Sequence, residues 1–348
     1  MTRTANELRA ALVDELATHG WLASNEWNAA FRAVPRHVFL TRFFALTPDG
    51  TRYAAIDETH PHWLHMVYRN AVWPTQLNGE PSTWQRAKDT GPIKGEPTCS
   101  STQPSLMATM LEALHVEDGH RVLEIGTGTG YNAALLAHRV GNKNVTTVDV
   151  DAELTTQAQV NLDNAGYSPT VITGDGARGY PDDAPYDRLI ATCSVPAIPP
   201  AWLHQVRPGG LILVNLYRQL IGGSLARLTV RRDGTARGPL LDDWGGFMPL
   251  RAHQPGDLWE LVKAATKQDG TTRQSRLPEP LNDDAPAWAM LADLLLPGVA
   301  RTDIHRDNGT VQWLVHPDGS WAYHDTTTGL VEQSGPRSLW DELEHIYT

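Results

Sequence analysis

The stretch VLEIGTGTGYNAALLAHRV, which begins at Val122, constrains the fold more than any other part of the 348-residue sequence. It has the pattern of a buried strand, a glycine-rich turn and an amphipathic helix. Turns of this kind bring the backbone close to a ligand in dehydrogenases, methyltransferases and phosphate-binding proteins. The stretch therefore predicts a ligand pocket, and the surrounding residues have to identify the ligand.

Strands and helices alternate after this stretch. The strands NVTTVDV, PTVITGDG, DRLIATCS and GGLILVNL follow the helix at 131–140, with further helices at 152–165 and 199–206. Such alternation is typical of an α/β fold with a mostly parallel sheet and crossover helices on both faces. We expect the domain that contains it to span residues 96–255.

The flanking regions have other patterns. Residues 1–95 predict a mainly helical N-terminal region that contacts substrate, followed by a loop, and Pro35 breaks its clearest apolar face. A hairpin is expected at Asp233-Gly234. Residues 275–348 predict a small α+β accessory unit in which a second hairpin precedes a terminal helix.

The second hairpin turns at Pro317-Asp318-Gly319, between segments of alternating apolar and polar residues. Trp313 and Trp321 flank this turn. They belong either to the core of the accessory unit or to a preformed wall for a rigid ligand.

Composition excludes several classes of protein. A formal net charge of -11 without a basic run argues against binding to a nucleic acid. No stretch of about 18 apolar residues is present to span a membrane. The N-terminal segment has charges within a helical pattern instead of a signal sequence, so a cytoplasmic protein is expected. Cys99 and Cys193 are expected to be reduced thiols.

Three glycines and one acid narrow the choice of ligand. Gly126, Gly128 and Gly130 have G-x-G-x-G spacing, and Tyr131 stands where a dinucleotide fingerprint has its third glycine. Glu124 precedes the turn and suits a cationic ligand that carries an amino acid. S-adenosylmethionine fits this description, and an ordinary turn is the alternative for the glycines.

Two further acids end the following strands. Asp149 lies about 20 residues after the turn, where a carboxylate can accept both ribose hydroxyls. Asp175 and Gly176 end the third strand, where a polar loop can meet an adenine edge. The alternatives are a helix N-cap for Asp149 and a turn residue for Asp175.

These segments resemble the protein-L-isoaspartate O-methyltransferase family in order and spacing. The resemblance covers about residues 25–215 and includes FRAVPRHVFL, SSTQPSLMATML, VLEIGTGTGYNAALLA and the segment from GDGARGYPDD to GGLILV. It implies a Rossmann-like class I fold and S-adenosylmethionine-dependent methylation of a peptide carboxylate. It places the methionine part at Glu124 and the three glycines, the ribose at Asp149, and the adenine at Asp175 and Gly176.

The chain departs from the family's repair enzymes at one segment. Ser100, Ser101 and Thr102 stand where those enzymes have a T-I-S-x-P-like segment, with Thr102 at the place of the serine that meets the substrate carboxylate. The resemblance makes these three hydroxyls the candidate catalytic group. A loop that caps the next helix is the alternative.

Greater length is the second departure. Repair enzymes are expected to end near the last sheet strands, whereas this chain continues for about 130 residues. The longer form, with TCSVPAIPPAW, GGFMPLR and the terminal hairpin, resembles methyltransferases that accompany ATP-grasp and lanthipeptide enzymes. That resemblance implies methylation of an aspartate in a cyclised ribosomal precursor peptide, followed by closure to an aspartimide. A monomer is expected.

Other functions remain as alternatives. General isoaspartate repair, a non-catalytic adaptor that binds the cofactor, and a nicotinamide oxidoreductase are the competing classes. His60, His62 and His65 lie close together in THPHWLH, but methyl transfer to a carboxylate needs no metal and no matching Cys or carboxylate spacing is present. We therefore expect no metal site.

Overall fold

The computed structural model describes residues 3–218, 220, 222–241, 245–251, 258–277, 281, 286–306 and 309–347. The chain divides into two compact units. The first contains Met1–Asn215 and Leu225–Ala252, and the second contains Leu216–Ser224 and His253–Thr348. All candidate ligand-binding residues lie in the first unit.

The elements up to residue 237 mix helices and strands. The described helices are α1 (Ala5–Thr18), α2 (Asn25–Ala33), α3 (Arg36–Phe39), α4 (Trp63–Val67), α5 (Ser82–Thr90), α6 (Pro104–Ala113), α7 (Tyr131–Val140), α8 (Ala152–Asn164) and α9 (Pro200–Gln205). The described strands are β1 (Arg42–Leu46), β2 (Tyr53–Asp57), β3 (Trp73–Leu77), β4 (Pro97–Ser101), β5 (Val122–Ile125), β6 (Val145–Asp149), β7 (Thr170–Thr173), β8 (Tyr186–Val195), β9 (Val206–Arg218), β10 (Gly222–Val230) and β11 (Ala236–Arg237).

The central sheet has the strand order β11-β10-β9-β8-β5-β6-β7. β5 pairs in parallel with β6 and β8, and β6 pairs in parallel with β7. All residues of β5 are buried because strands cover both of its edges and helices cover the sheet. At the other edge β10 and β11 form the antiparallel hairpin predicted at Asp233-Gly234. The α/β prediction is confirmed, and the sheet is mixed.

The N-terminal helices belong to the same core as the sheet domain. Leu12 and Leu16 of α1 and Phe31 of α2 are buried in one cluster with Leu111 of α6 and Leu135 of α7. A shared cluster of this kind marks one continuous core. The predicted division at residue 95 therefore does not coincide with a break in packing.

Two antiparallel strand pairs interrupt the helices before residue 102. β1 pairs with β2 and β3 pairs with β4, both antiparallel. The sequence pattern predicts helices up to residue 95 and then a loop, so these strands correct that prediction. Each has five residues, which is too short for strand alternation to stand out from a helical pattern. Ser100 and Ser101 consequently lie at the end of a strand.

The second unit is an antiparallel sheet with helices. Its described elements are α10 (Leu258–Ala265), β12 (Thr271–Gln274), α11 (Pro286–Leu295), β13 (Ala300–Arg306), β14 (Gly309–Val315), β15 (Trp321–Asp325), β16 (Leu330–Ser334) and α12 (Leu339–Tyr347). The strand order is β12-β16-β15-β14-β13. The predicted hairpin joins β14 to β15, and the predicted terminal helix contributes to a core shared with the sheet.

Helix α10 belongs to this unit although it precedes residue 275. Val262 and Ala265 of α10 share a buried cluster with Trp313 and Trp321. The exposed fractions of the two tryptophans are 7% and 3%. They are core residues, and their interpretation as a wall for a ligand is wrong.

No helix in the described ranges has the length and apolar composition that a membrane span requires.

Candidate active site

A cavity of about 820 Å³ lies at the carboxyl ends of β5, β6 and β8. Parallel strands place the loops that follow them at one edge of the sheet, which brings Gly126, Asp149 and Thr192 together. Residues 98–103 and 246–251 supply further parts of its wall. The predicted cofactor residues and the hydroxyl segment therefore border one space, except for Gly130.

The turn after β5 requires glycine at two positions. Gly126 has φ 97°, and a Cβ there would overlap Oγ1 of Thr192, which donates a hydrogen bond to the Gly126 carbonyl. Gly128 has φ 52°, and its amide donates to Asp149 Oδ2 over 3.0 Å. Because an L side chain rarely adopts such φ values, this conformation depends on glycine and leaves the backbone open toward the cavity.

Gly130 lies apart from the other predicted cofactor residues. It does not line the cavity. A Cβ at this position would lie 3.3 Å from the Ala158 carbonyl oxygen and 3.3 Å from Leu162 Cγ. Gly130 therefore allows α7 to begin in close contact with α8.

Glu124 is a fully buried acid beside the turn. Its Oε1 accepts a hydrogen bond from Asn132 Nδ2 over 2.7 Å, and its Oε2 accepts one from Thr147 Oγ1 over 2.6 Å. Burial raises the pKa of Glu124 to about 7, against the opposing effect of these two hydrogen bonds. The carboxyl group is therefore poised to respond to a cation in the cavity.

Asn132 is a candidate ligand residue that sequence reasoning missed. Its side chain is 6% exposed and lines the cavity, and Oδ1 has no hydrogen-bond partner within the described residues. A buried acceptor without a donor is costly unless a ligand supplies one. The signal in the sequence was a polar residue in the first turn of the helix that follows the glycine turn, two residues after Gly130.

Asp149 holds the turn and faces the cavity. Besides the Gly128 amide, it accepts a hydrogen bond at Oδ1 from the Asp151 amide over 3.2 Å. Burial raises the pKa of Asp149, and the amide hydrogen bonds act in the opposite direction. The N-cap of α8 is Asp151, which accepts from the amides of Glu153 and Leu154. The alternative of a helix N-cap thus applies to Asp151 and not to Asp149.

Asp175 and Gly176 border the cavity after β7. Asp175 Oδ1 accepts from the Ala177 amide over 2.9 Å and caps a short 3-10 helix. A Cβ on Gly176 would lie 2.6 Å from Ile125 Cγ2. Asp175 is therefore a turn residue by its local contacts, and its Oδ2 lies 3.9 Å from Arg178 Nε.

The hydroxyl segment also lines the cavity. Ser100, Ser101 and Thr102 all border it, and the first two end strand β4. The N-cap of the following helix is Gln103, without a side-chain capping bond. The capping alternative is therefore wrong, whereas a role in catalysis stays a prediction.

Arg251 adds a contact that no local pattern predicts. Its Nη2 donates to Gln76 Oε1 and to Asp151 Oδ2, both over 3.1 Å. Gln76 also donates to Asp151 Oδ2 over 3.0 Å. This network ties the segment 246–251, which lines the cavity, to β3 and to the start of α8.

Comparison with known proteins identifies the family. The family model described as protein-L-isoaspartate(D-aspartate) O-methyltransferase (PCMT) matches residues 80–234. A protein-L-isoaspartate O-methyltransferase of Thermococcus onnurineus is 31% identical over 242 residues, which cover 68% of this chain and 90% of that protein. The chain belongs to this family. The same-named protein of Methanosarcina mazei is 40% identical over 138 residues, or 38% of this chain and 54% of that protein.

Two solved structures support the fold. One, titled protein-L-isoaspartate O-methyltransferase, has a TM-score of 0.53 and 24% identity and covers 97% of this chain and 89% of its own. The other, a putative Plasmodium falciparum enzyme in complex with S-adenosyl-L-homocysteine, has a TM-score of 0.50 and 14% identity and covers 70% and 97%. The class I methyltransferase fold is confirmed.

Family membership establishes the type of reaction and the cofactor. The chain is a carboxyl O-methyltransferase, and S-adenosylmethionine is its cofactor. The adaptor and nicotinamide alternatives are therefore wrong.

Both cysteines border the cavity as free thiols. Burial, with a smaller contribution from the Asp149 carboxylate, raises the pKa of Cys99 and of Cys193 to about 12. A thiol with such a pKa remains protonated at neutral pH and is a poor nucleophile.

The three neighbouring histidines show no arrangement for a metal. The rings of His60 and His62 lie 5.9 Å apart by their centroids, and His60 Nδ1 accepts from the His62 amide. Among the residues that the structure describes, no group of three or more His, Cys, Asp or Glu side chains could hold a metal ion.

Proposed function

We propose that this enzyme methylates the side-chain carboxylate of an aspartate in a ribosomally made peptide that has already been cyclised. The ester then closes to an aspartimide, and the partner is a modified precursor peptide. The proposal starts from the resemblance of TCSVPAIPPAW, GGFMPLR and the terminal hairpin to methyltransferases that accompany ATP-grasp and lanthipeptide enzymes.

The position of two of these segments is the observation that carries the proposal. Thr192 and Cys193 of the first segment and residues 246–251 of the second line the cavity. Enzymes that share one reaction differ in substrate through the residues that surround the reacting group. Features typical of the peptide-maturation enzymes therefore border the space in which a substrate would be selected.

The residues beside the glycine turn fit S-adenosylmethionine. Its amino group needs acceptors, which Asn132 Oδ1 and the Glu124 carboxylate provide. We assign the ribose hydroxyls to Asp149 and the adenine edge to Asp175 and Gly176. All five residues line the cavity.

When bound, the cofactor supplies a methyl group that passes in line from sulfur to a carboxylate oxygen, with the electron pair of the broken C–S bond remaining on sulfur. An aspartate with a pKa near 4 is already ionised at neutral pH, so no side chain has to remove a proton. The enzyme has to align the carboxylate and exclude water, and alignment alone is worth about 7–11 kcal/mol.

The hydroxyls of Ser100, Ser101 and Thr102 are the groups that we assign to this alignment. They border the cavity and can donate to the carboxylate without neutralising it. In the following step the next backbone nitrogen of the peptide attacks the ester carbonyl, and methanol leaves. We expect this closure to proceed without a further group from the enzyme.

Isoaspartate repair is the second candidate function. The names of the relatives in Thermococcus onnurineus and Methanosarcina mazei favour it. The two functions share the cofactor and the reaction, and they differ in the peptide that enters the cavity.

Methylation of three peptides distinguishes the two functions. A precursor peptide encoded beside this chain's gene is incubated with enzyme and S-adenosylmethionine before and after its side chains are crosslinked, and an unrelated isoaspartyl peptide is the third substrate. Mass spectrometry should show methyl addition, or subsequent loss of methanol, much faster on the crosslinked form. The matched control is a crosslinked peptide with asparagine in place of the modified aspartate.

Two physical reasons favour the crosslinked form. The enzyme has a formal net charge of -11, so crosslinks that consume carboxylates reduce like-charge repulsion on approach. Crosslinking also removes chain entropy before binding. Equal rates on both forms, or efficient turnover of the isoaspartyl peptide, would establish repair instead.

A further inference from the structure

Arg36 is a buried cation that has no carboxylate partner among the described residues. It follows Pro35 at the start of α3 and is 0% exposed. Burial lowers the pKa of Arg36 to about 10, so the guanidinium remains charged at neutral pH. A buried charge is expensive unless its surroundings use or compensate it. The groups around Arg36 therefore need an explanation.

The guanidinium contacts two segments of the chain. Its hydrogen bonds end on the carbonyl oxygens of Val67 (2.7 Å), Arg69 (3.1 Å), Ala71 (3.3 Å) and Thr102 (3.1 Å) and on Ser101 Oγ (3.2 Å). Both segments reach the cavity wall, one through Val72 and the other through Ser101 and Thr102. Arg36 thus lies directly behind the proposed carboxylate site.

The bond to Ser101 has a fixed direction. A guanidinium carries only donors, so Ser101 Oγ is the acceptor. The hydroxyl proton of Ser101 is left for another acceptor, and no protein group within the described residues occupies that place. Ser101 is 5% exposed and borders the cavity. Its proton is therefore available to a ligand in the cavity.

The charges that line the cavity explain why a donor at Ser101 matters for a carboxylate substrate. Glu124, Asp149 and Asp175 line the cavity, whereas Arg251 is the single cation among its described lining residues and is paired with Asp151. A peptide carboxylate would enter a largely anionic space. A positive charge behind Ser101 offsets that repulsion on the substrate side.

We propose that Arg36 is a positioning residue that commits the Ser101 hydroxyl to donate to the peptide carboxylate, at the oxygen that does not receive the methyl group. The inference rests on the proposed function only in that the acceptor is a peptide carboxylate, which both candidate substrates supply. Nothing in it depends on which of the two peptides is natural.

The expected effects separate binding from turnover. A hydrogen bond to a carboxylate is strongest before transfer, because the oxygen loses its charge as the ester forms. Ser101→Ala should therefore raise the peptide KM about tenfold or more and change kcat little. Arg36→Met should raise KM similarly, and Arg36→Lys, which keeps the charge, should raise it less.

The double variant tests whether Arg36 acts through Ser101. Peptide KM, kcat and the peptide's Kd for enzyme saturated with S-adenosylhomocysteine are measured for Arg36→Met, Ser101→Ala and the combination. If the two residues act as one unit, Arg36→Met adds less than about threefold to KM in the Ser101→Ala background. If the KM increases of the two single variants multiply in the double variant, Arg36 acts independently of Ser101 and the proposal is overturned.

Arg188 provides the matched control. It is also buried, at 6% exposure, and donates to the His115 carbonyl, away from the cavity lining. Arg188→Met should lower stability without changing the peptide KM. If the Arg36 variants fail to fold, Ser101→Ala decides, and an unchanged peptide KM and Kd would refute the role of its hydroxyl.

The proposed function fails in a different experiment. The proposed function is decided by which peptide the wild-type enzyme methylates. The role of Arg36 is decided by the ratios of KM and Kd between each variant and the wild type, measured on the same peptide. Should neither peptide be turned over, the Kd of each for the S-adenosylhomocysteine complex still gives those ratios.

Discussion

Glu124→Gln should stabilise the cofactor-free enzyme at high pH while weakening cofactor binding. The wild-type carboxyl is fully buried with a pKa raised to about 7 by burial, compared with 4.5 in the unfolded chain. The folded state therefore binds this proton more tightly than the unfolded state between pH 4.5 and pH 7. Over that interval the contribution of Glu124 to the free energy of unfolding falls as pH rises, and above it the contribution is constant.

The size of the effect follows from the displacement of the pKa. At about 1.4 kcal/mol per pH unit, the change from 4.5 to about 7 corresponds to about 3 kcal/mol. Glutamine does not ionise and has nearly the same shape, so it avoids this loss. Its oxygen can accept from Asn132, and its amide can donate to Thr147 Oγ1, which can turn its own proton toward Thr127 Oγ1 at 2.7 Å.

Urea denaturation of both proteins at pH 5 and pH 8, without cofactor, measures the effect. The stability advantage of Glu124→Gln over wild type should be about 2.5 kcal/mol larger at pH 8 than at pH 5, slightly less than the full effect because the affected interval begins at pH 4.5. All other titrating groups cancel in this comparison. Calorimetry with S-adenosylhomocysteine should show weaker binding by the variant at pH 8. An advantage that is equal at both pH values would refute the buried, raised pKa.

Three further changes test other parts of the molecule. Asp149→Ala should weaken S-adenosylhomocysteine binding by about 1–3 kcal/mol in calorimetry through a lost charge-assisted hydrogen bond, and an unchanged Kd would contradict the ribose assignment. Replacing Ser100, Ser101 and Thr102 together by Ala should lower peptide turnover while cofactor affinity stays nearly intact. If the variant loses both cofactor affinity and its fold, the segment has a structural role instead. Trp340→Ala, at a residue 0% exposed in the core of the second unit, should lower the free energy of unfolding of that unit by about 3–5 kcal/mol, whereas a change below about 1 kcal/mol would contradict its place in the core.

Local patterns were sufficient for the centre of the fold. The strand predicted at NVTTVDV is observed as β6 (Val145–Asp149), and the helix predicted at 131–140 is observed as α7 with the same bounds. The helix has its hydrophobic pattern and the glycine that follows it, Gly141, within a short window, and the strand is a short run of buried residues that ends at Asp149. No distant residue is therefore needed to recognise either element. The same holds for Gly126 and Asp149, whose spacing defines the cavity edge.

Contacts between distant segments could not be predicted. Ser101 lies 65 positions from Arg36, and Arg251 lies 100 positions from Asp151. An arginine is ordinarily a surface residue, so nothing in FRAVPRHVFL marks Arg36 as buried. The packing of Gly130 could not be predicted for a related reason, because its close neighbour Ala158 belongs to a helix that follows later in the chain.

The indirect placement of Arg36 suits the charge balance of the proposed reaction. A sulfonium and a carboxylate react to give a neutral thioether and a neutral ester, so both charges decrease toward the transition state and are absent from the products. A direct ion pair between arginine and the carboxylate would be lost as the ester forms, and the barrier would rise by much of its energy. A hydroxyl donor polarised by a buried cation binds the carboxylate less strongly and loses less when the charge disappears. On this reasoning Ser101, with Arg36 behind it, attracts the substrate into an acidic cavity without holding back the transfer.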